Sequence, residues 1–98
     1  MTSLTNSYTL LFSTKAKKDL KRYKRDQKKL NALKNTLNLL ISGGYGAIHE
    51  SMKPHKLKGD YTGLWECHAM PDLLVIWEQT ENPKEIYVIR IGSHADLF

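Results

Sequence analysis

Three β-prone runs in the C-terminal half follow one another too closely for a helix to cross between them. Thr62 to Ala69 turns at Met70-Pro71-Asp72, Leu73 to Trp77 leads to a turn at Glu81-Asn82-Pro83, and Ile86 to Ile91 closes the series. Parallel neighbours need a crossover of a dozen or more residues, so these strands must lie antiparallel. Leu73-Leu74-Val75-Ile76-Trp77 is apolar throughout, which marks a central strand.

The N-terminal half adds one strand and two helices. Tyr8-Thr9-Leu10-Leu11-Phe12 is a short β-prone run. Ser13 or Thr14 can then cap a helix whose apolar residues, Ala16, Leu20 and Tyr23, share one face among Lys15, Lys17, Lys18, Lys21, Arg22, Lys24 and Arg25. Asp26 can cap a second helix, striped by Leu30, Leu33, Leu37, Leu40 and Ile41 and ended by Gly43-Gly44. The pair reads as an antiparallel hairpin whose leucines cover a sheet rather than a cofactor. Residues 43–61 show no periodicity, and a loop of that length in a small protein is usually functional or mobile. The order β-α-α-β-β-β predicts an α+β fold: a small, antiparallel-dominated sheet with the hairpin packed on one face. At 98 residues the chain has room for one domain, spanning 1–98.

Lys plus Arg number 15 against 10 Asp plus Glu, a net charge of +5. That excess favours polyanions as partners. Cys67 is the only cysteine, so no internal disulfide forms, and its apolar surroundings predict a small core residue rather than a nucleophile. No run approaches the ~18 apolar residues of a membrane span. Met1 to Asn6 lack the charged-then-apolar pattern of a signal peptide. The expectation is a soluble cytoplasmic protein with no membrane contact.

Chemistry-bearing side chains gather in the second half. Alternation puts Trp65, Cys67 and Ala69 on one face of their strand and Leu64, Glu66 and His68 on the other. If the first set faces the helices, Glu66 and His68 point together at the open face. In the last strand Ile86, Val88 and Arg90 share a face opposite Tyr87, Ile89 and Ile91, and Arg90 is expected on the open face as well. Asp72 and His94 sit at element ends, within reach of that face. His55, with Lys56 and Lys58 beside it as substrate-contacting cations, can close the group from the long loop.

RNA cleavage by transesterification needs a base for the 2′-hydroxyl proton, an acid for the leaving 5′-oxygen and a cation for the negative phosphorane. Histidine serves as acid or base near neutrality, and arginine offers a permanently charged fork to phosphate. A neighbouring carboxylate orients an imidazole and favours its charged form; Glu66, Asp72 or Asp96 can take that part. Metal is a rival use of histidine and carboxylate. No helical histidine pair, cysteine pair or known ligand spacing occurs, so neither metal nor cofactor is expected.

Four ordered motifs carry a resemblance. Pro54-His55-Lys56-Leu57-Lys58-Gly59, Gly63-Leu64-Trp65-Glu66-Cys67-His68, Pro71-Asp72-Leu73-Leu74-Val75-Ile76-Trp77 and Arg90-Ile91-Gly92-Ser93-His94-Ala95-Asp96-Leu97-Phe98 together resemble the YafQ branch of the RelE/ParE toxin superfamily. The likeness runs from about residue 8 to 98. It implies a bacterial type II toxin that cleaves mRNA in the ribosomal A site and is neutralised by a cognate antitoxin, and it implies the same RelE-like β-α-α-β-β-β sheet. His55, Glu66, His68, Asp72, Arg90, His94 and Phe98 fall on the family's active-site positions. The resemblance makes His94 the principal acid–base residue and His55 or His68 its partner. Asp72 would orient, Arg90 hold the scissile phosphate, and Glu66 and Phe98 contact substrate, Phe98 by stacking on a base. Three departures stand out: Lys56 where proline is common, Leu64-Trp65 in place of an aromatic-arginine pair, and Leu73 where tryptophan often follows the aspartate. They leave the proton-transfer set intact and bear on base preference and ribosome docking.

Two other functions suit the same fold. A ParE-like toxin would bind DNA gyrase without RNA chemistry and would not need paired acid–base groups. A ribosome-independent RNase would cut naked RNA.

Overall fold

The computed structural model describes residues 7–98, so the Met1 to Asn6 reading lies outside the described residues. Strand β1 (Thr9–Phe12) leads into helix α1 (Thr14–Lys21) and helix α2 (Gln27–Gly43). Three short 3-10 turns and a two-residue strand, β2 (His55–Lys56), fill the span to β3 (Trp65–Met70). Strands β4 (Leu73–Glu81) and β5 (Lys84–Gly92) follow, and a short helix α3 (His94–Leu97) ends the chain. The five-stranded sheet has the order β1-β5-β4-β3-β2. Among the described residues, only β1 runs parallel to its neighbour, β5; the other pairings are antiparallel. No helix of the described residues is long and apolar enough to cross a membrane.

Local chemistry sets the helix ends. Ser13 Oγ accepts the Ala16 N–H at 2.9 Å, capping α1, and donates to the Ile89 carbonyl at 2.6 Å, which ties the helix start to β5. Asp26 accepts the Lys29 N–H at 3.1 Å and caps α2. Gly44 ends α2 at φ +62°, and a Cβ there would run into the Gln79 side chain. Glycine alone meets both demands.

The main core lies between sheet and hairpin. Ala16, Leu33, Leu37 and Leu40 meet Cys67, Leu73, Val75, Trp77, Ile86, Val88 and Ile91, all buried. Burying a large apolar side chain contributes about 1.5–3 kcal/mol, so this layer holds the sheet rigid behind the site. Trp65, Cys67 and Ala69 face it, as alternation predicts. The opposite face is not bare. Helix α3 folds back and sets Leu97 on Leu74 and Ile76, with Leu57, Tyr61, Leu64 and Ile89 around them. Gly92 permits this return: a Cβ there would stand 3.3 Å from both Asp96 Cβ and Leu97 Cδ2.

The last strand departs from simple alternation. Ile76 pairs with Arg90 but Trp77 pairs with Val88, which leaves Ile89 as a bulge. Ile86, Val88 and Ile91 therefore all face the hairpin, while Ile89 packs on the other side. Arg90 does not share a face with Ile86 and Val88; the extra residue carries it to the side of Ile76.

Candidate active site

The register lines up two neighbouring rows on the α3 side of the sheet. His55 pairs with Glu66, Glu66 with Ile76 and Ile76 with Arg90, across β2, β3, β4 and β5. One step along, His68 pairs with Leu74 and Leu74 with Gly92. The β3–β4 turn brings Asp72 to the end of the second row, and α3 hangs His94 and Phe98 over it.

Glu66 is the hinge of the first row. It is only 3% exposed. Its Oε1 stands 3.3 Å from His55 Nε2 and 3.9 Å from His68 Nε2. Its Oε2 is buried and has no hydrogen-bond partner among the described residues. The other His55 nitrogen, Nδ1, lies 2.7 Å from the Lys53 carbonyl, so both ring nitrogens face oxygen atoms. His68 Nδ1 rests 3.2 Å from the Pro71 carbonyl.

His94 belongs to a second carboxylate. Asp72 Oδ1 accepts the His94 backbone N–H at 3.0 Å and lies 3.3 Å from Nδ1. These bonds, the backbone one foremost, hold the Asp72 carboxyl below the usual aspartate range. A carboxylate accepts, so Nδ1 is assigned the proton and Nε2 is left facing solvent. The His94 ring stands 5.9 Å from that of His68 and 5.9 Å from that of Phe98. Phe98 is 63% exposed and meets Tyr61 edge-on at 5.4 Å.

The arc thus runs His55, Glu66, His68, His94, Phe98, with Asp72 behind His94. Arg90 joins differently from expectation. Its Nε and Nη2 bind the buried Asp19 of α1 at 2.8 and 3.2 Å, and Asp19 also accepts the Ile91 N–H at 2.9 Å. The arginine fork is occupied within the fold, and Tyr61 stands between it and Phe98. Lys56 points the other way from His55 and lies 5.6 Å over the Trp65 ring, on the hairpin side. Lys58 is exposed beside the Gly59–Tyr61 turn. Asp96 pairs with Arg22 at 3.7 Å, not with a histidine. His49 accepts the Ser51 N–H and caps a 3-10 turn.

Sequence reasoning missed Tyr61 and Asp19. Tyr61 carries no signal beyond its loop, which also bears His55. Asp19 does: it shares the apolar face of Ala16, Leu20 and Tyr23, where an acid needs a partner. Among the described residues, no group of three or more His, Cys, Asp or Glu side chains is arranged to hold a metal ion. What the arc offers is proton transfer from two histidine arms, each braced by a carboxylate, beside an exposed aromatic ring.

Residues 8–98 match the family described as the bacterial toxin of a type II toxin–antitoxin system, YafQ. The chain is 32% identical to the mRNA interferase toxin YafQ of Escherichia coli K12 over 87 residues, 89% of this chain and 91% of that one. It superposes on the crystal structure of YafQ from E. coli BL21(DE3) with a TM-score of 0.81 at 28% identity, covering 93% of this chain and 98% of that one. The toxin of the E. coli DinJ-YafQ toxin–antitoxin complex gives 0.80 at 30% identity, with 94% and 98% covered.

Proposed function

This chain belongs to the YafQ family of bacterial type II toxins, and from that membership we propose how it acts: as an endoribonuclease that cuts mRNA in the ribosomal A site without a metal, restrained by a cognate antitoxin. The curated relative is an mRNA interferase, and a solved neighbour sits in a complex with its antitoxin, DinJ. Action on messages at the ribosome puts the toxin in the cytoplasm, with 1–98 working as one domain.

The observation that carries the mechanism is the 5.9 Å spacing of the His68 and His94 rings. A phosphodiester laid across the two neighbouring rings can meet one imidazole at each end. One ring takes the proton of the 2′-hydroxyl, whose oxygen forms a bond to phosphorus. The P–O5′ bond breaks, and the other ring protonates the departing oxygen. The products are a 2′,3′-cyclic phosphate and a 5′-hydroxyl, and the two rings end with their protons exchanged. Asp72 holds His94 with Nε2 outward. Glu66 braces His68 and His55, and His55 closes the far end of the arc. Arg90 adds its field from behind Tyr61 while tied to Asp19. Phe98 offers its exposed ring to a base. Lys58 contacts the RNA backbone.

The test is purified toxin on a defined mRNA, with translating ribosomes and, as naked RNA, in EDTA, cuts being mapped by primer extension. Cuts in codon register only with ribosomes are expected. Equal cutting of naked RNA would replace this reading with a free RNase. No cutting in either arm, with gyrase inhibited, would replace it with a ParE-like binder.

A further inference from the structure

His68 also walls a cleft of about 370 Å³, lined with it by Ser51, Met52, Lys53, Met70 and Pro71 and not by His94. That volume is within the range of small-molecule sites. The cleft exists because β2 is too short. It pairs with β3 only at Trp65 and Glu66, while β3 continues to Met70. Opposite the second half of β3 stands the 3-10 turn Glu50–Met52 instead of a strand.

The main chain of β3 is therefore exposed to the cleft at one place. Leu57 N–H donates to the Leu64 carbonyl, so residues 64, 66 and 68 turn their backbone groups toward this edge. Glu66 meets His55 there. His68 has no strand opposite it, and among the described residues its N–H and C=O find no backbone partner on that side. They form a donor–acceptor pair on the cleft wall. Met52 and Met70 add half-buried thioether walls, a soft and polarisable surface for a flat ring. Lys53 stands at the rim, exposed, in a left-handed backbone (φ +53°) that also aims its carbonyl at His55.

We propose that this cleft is a base subsite: it takes the nucleobase adjoining the scissile phosphate, its edge on the His68 main chain and its faces on Met52 and Met70, with Lys53 on that nucleotide's phosphate. The inference rests on the nuclease reading. It follows from His68 being a shared wall: a phosphate held across His68 and His94 puts the neighbouring base within reach of the cleft. A main-chain donor and acceptor read base identity through complementary edge groups, so the cleft sets a preference for one nucleotide beside the cut. Neither Met52 nor Lys53 takes part in proton transfer.

The experiment uses toxin labelled with 13C at the methionine methyls and trinucleotides with a 2′-deoxy sugar at the attack position, varied one base at a time. Met52→Leu and Met70→Leu, made singly, assign their two signals among the three methionines. Saturable shifts of the Met52 and Met70 methyls with one base preferred are expected. Lys53→Asn, which suits the left-handed backbone, should weaken that binding several-fold, and Ser51→Trp, which fills the cleft, should abolish it. In primer extension on ribosomes, Ser51→Trp should still cut but lose its preference at the flanking position. Methyl signals that stay still while ribosome-dependent cutting proceeds would overturn the subsite and leave the nuclease reading standing. Equal shifts with an abasic trinucleotide would also overturn it, reducing the cleft to a phosphate contact. Loss of all cutting by the unaltered protein would overturn the nuclease reading instead, and the methyl shifts would then report the cleft by itself.

Discussion

Asp72 grips His94 by main chain and side chain with one oxygen, Oδ1, at 3.0 Å from the backbone nitrogen and 3.3 Å from Nδ1. The backbone bond fixes the start of α3 and the side-chain contact fixes the ring. Both hold the Asp72 carboxyl low. Its contribution is therefore complete above the ordinary aspartate value of about 3.9 and is lost only as pH falls through its lower folded value. Asp72 stays anionic across the neutral range, and activity changes there do not come from it. Removing His94 (His94→Ala) should cut single-turnover cleavage on ribosome-bound mRNA by about 10²–10⁴-fold. Asp72→Ala should cost about 10²-fold in rate, the low end of that range, with little change in half-saturation. Because Asp72 acts through His94, the double variant should be no slower than His94→Ala alone. Additive losses would show that Asp72 has a separate role.

Glu66 is placed against its own solvation. A carboxylate 3% exposed with one oxygen unpartnered among the described residues costs about 1–3 kcal/mol relative to a satisfied group. Its contacts with His55 and His68 return part of that. Glu66→Leu removes the buried carboxyl and extends the apolar layer of Leu74 and Ile76. The expected outcome is a higher midpoint of thermal unfolding together with cleavage reduced by about 10²-fold or more. A variant that is less stable and fully active would show that Glu66 is a structural anchor with no part in the reaction.

The sequence shows most where one residue type repeats over a long span. The leucines of α2 and the alternation of β3 are periodic over enough residues to assign element and face. The antiparallel meander follows from turn length alone. Short features escape for the same reason: β2 has two residues and α3 has four, too few for any period to show. Arg90 is the instructive case. Its place in the row of Glu66 and Ile76 is legible from the strand, but the Ile89 bulge is a register event that no composition announces. The pairing with Asp19 needs the three-dimensional edge where β1 stops at Phe12 and β5 runs on. Chemistry survives these gaps because histidine and carboxylate declare themselves by type, whereas Tyr61 and the cleft beside His68 are made by packing.

Cys67 offers a test of the core. It is fully buried at the centre of β3, and burial, helped by Glu66 next to it, pushes its thiol up to about 12. The thiolate is the reactive form, so at pH 8 the native protein should resist a disulfide exchange reagent for as long as it stays folded. One equivalent should react on unfolding in guanidinium. Fast labelling of the native protein would mean that β3 opens readily, which would conflict with a rigid platform for Glu66 and His68.

The last prediction concerns the Asp19–Arg90 pair. Asp19 is driven upward by burial, but the Arg90 hydrogen bond and the Ile91 N–H outweigh that and leave its carboxyl below the ordinary value. It closes the edge of β5 beyond the end of β1 and neutralises an arginine whose side chain is only 19% exposed. Asp19→Ala strands both partners and should destabilise by about 3–5 kcal/mol, as breaking a buried pair does. The pH dependence separates this from a simple loss of packing. A carboxyl with a depressed folded value stabilises above the unfolded value of about 3.9, and that contribution drains away as pH falls through the folded one. Denaturant unfolding of wild type and Asp19→Ala should therefore differ widely at pH 7 and converge in strong acid. Arg90→Met, which keeps the aliphatic stem but no charge, should show the same convergence, because it leaves Asp19 buried without its cation. Two curves that stay parallel from pH 7 down to strong acid would mean that Asp19 stabilises the helix–strand junction by shape alone, with the ion pair contributing nothing.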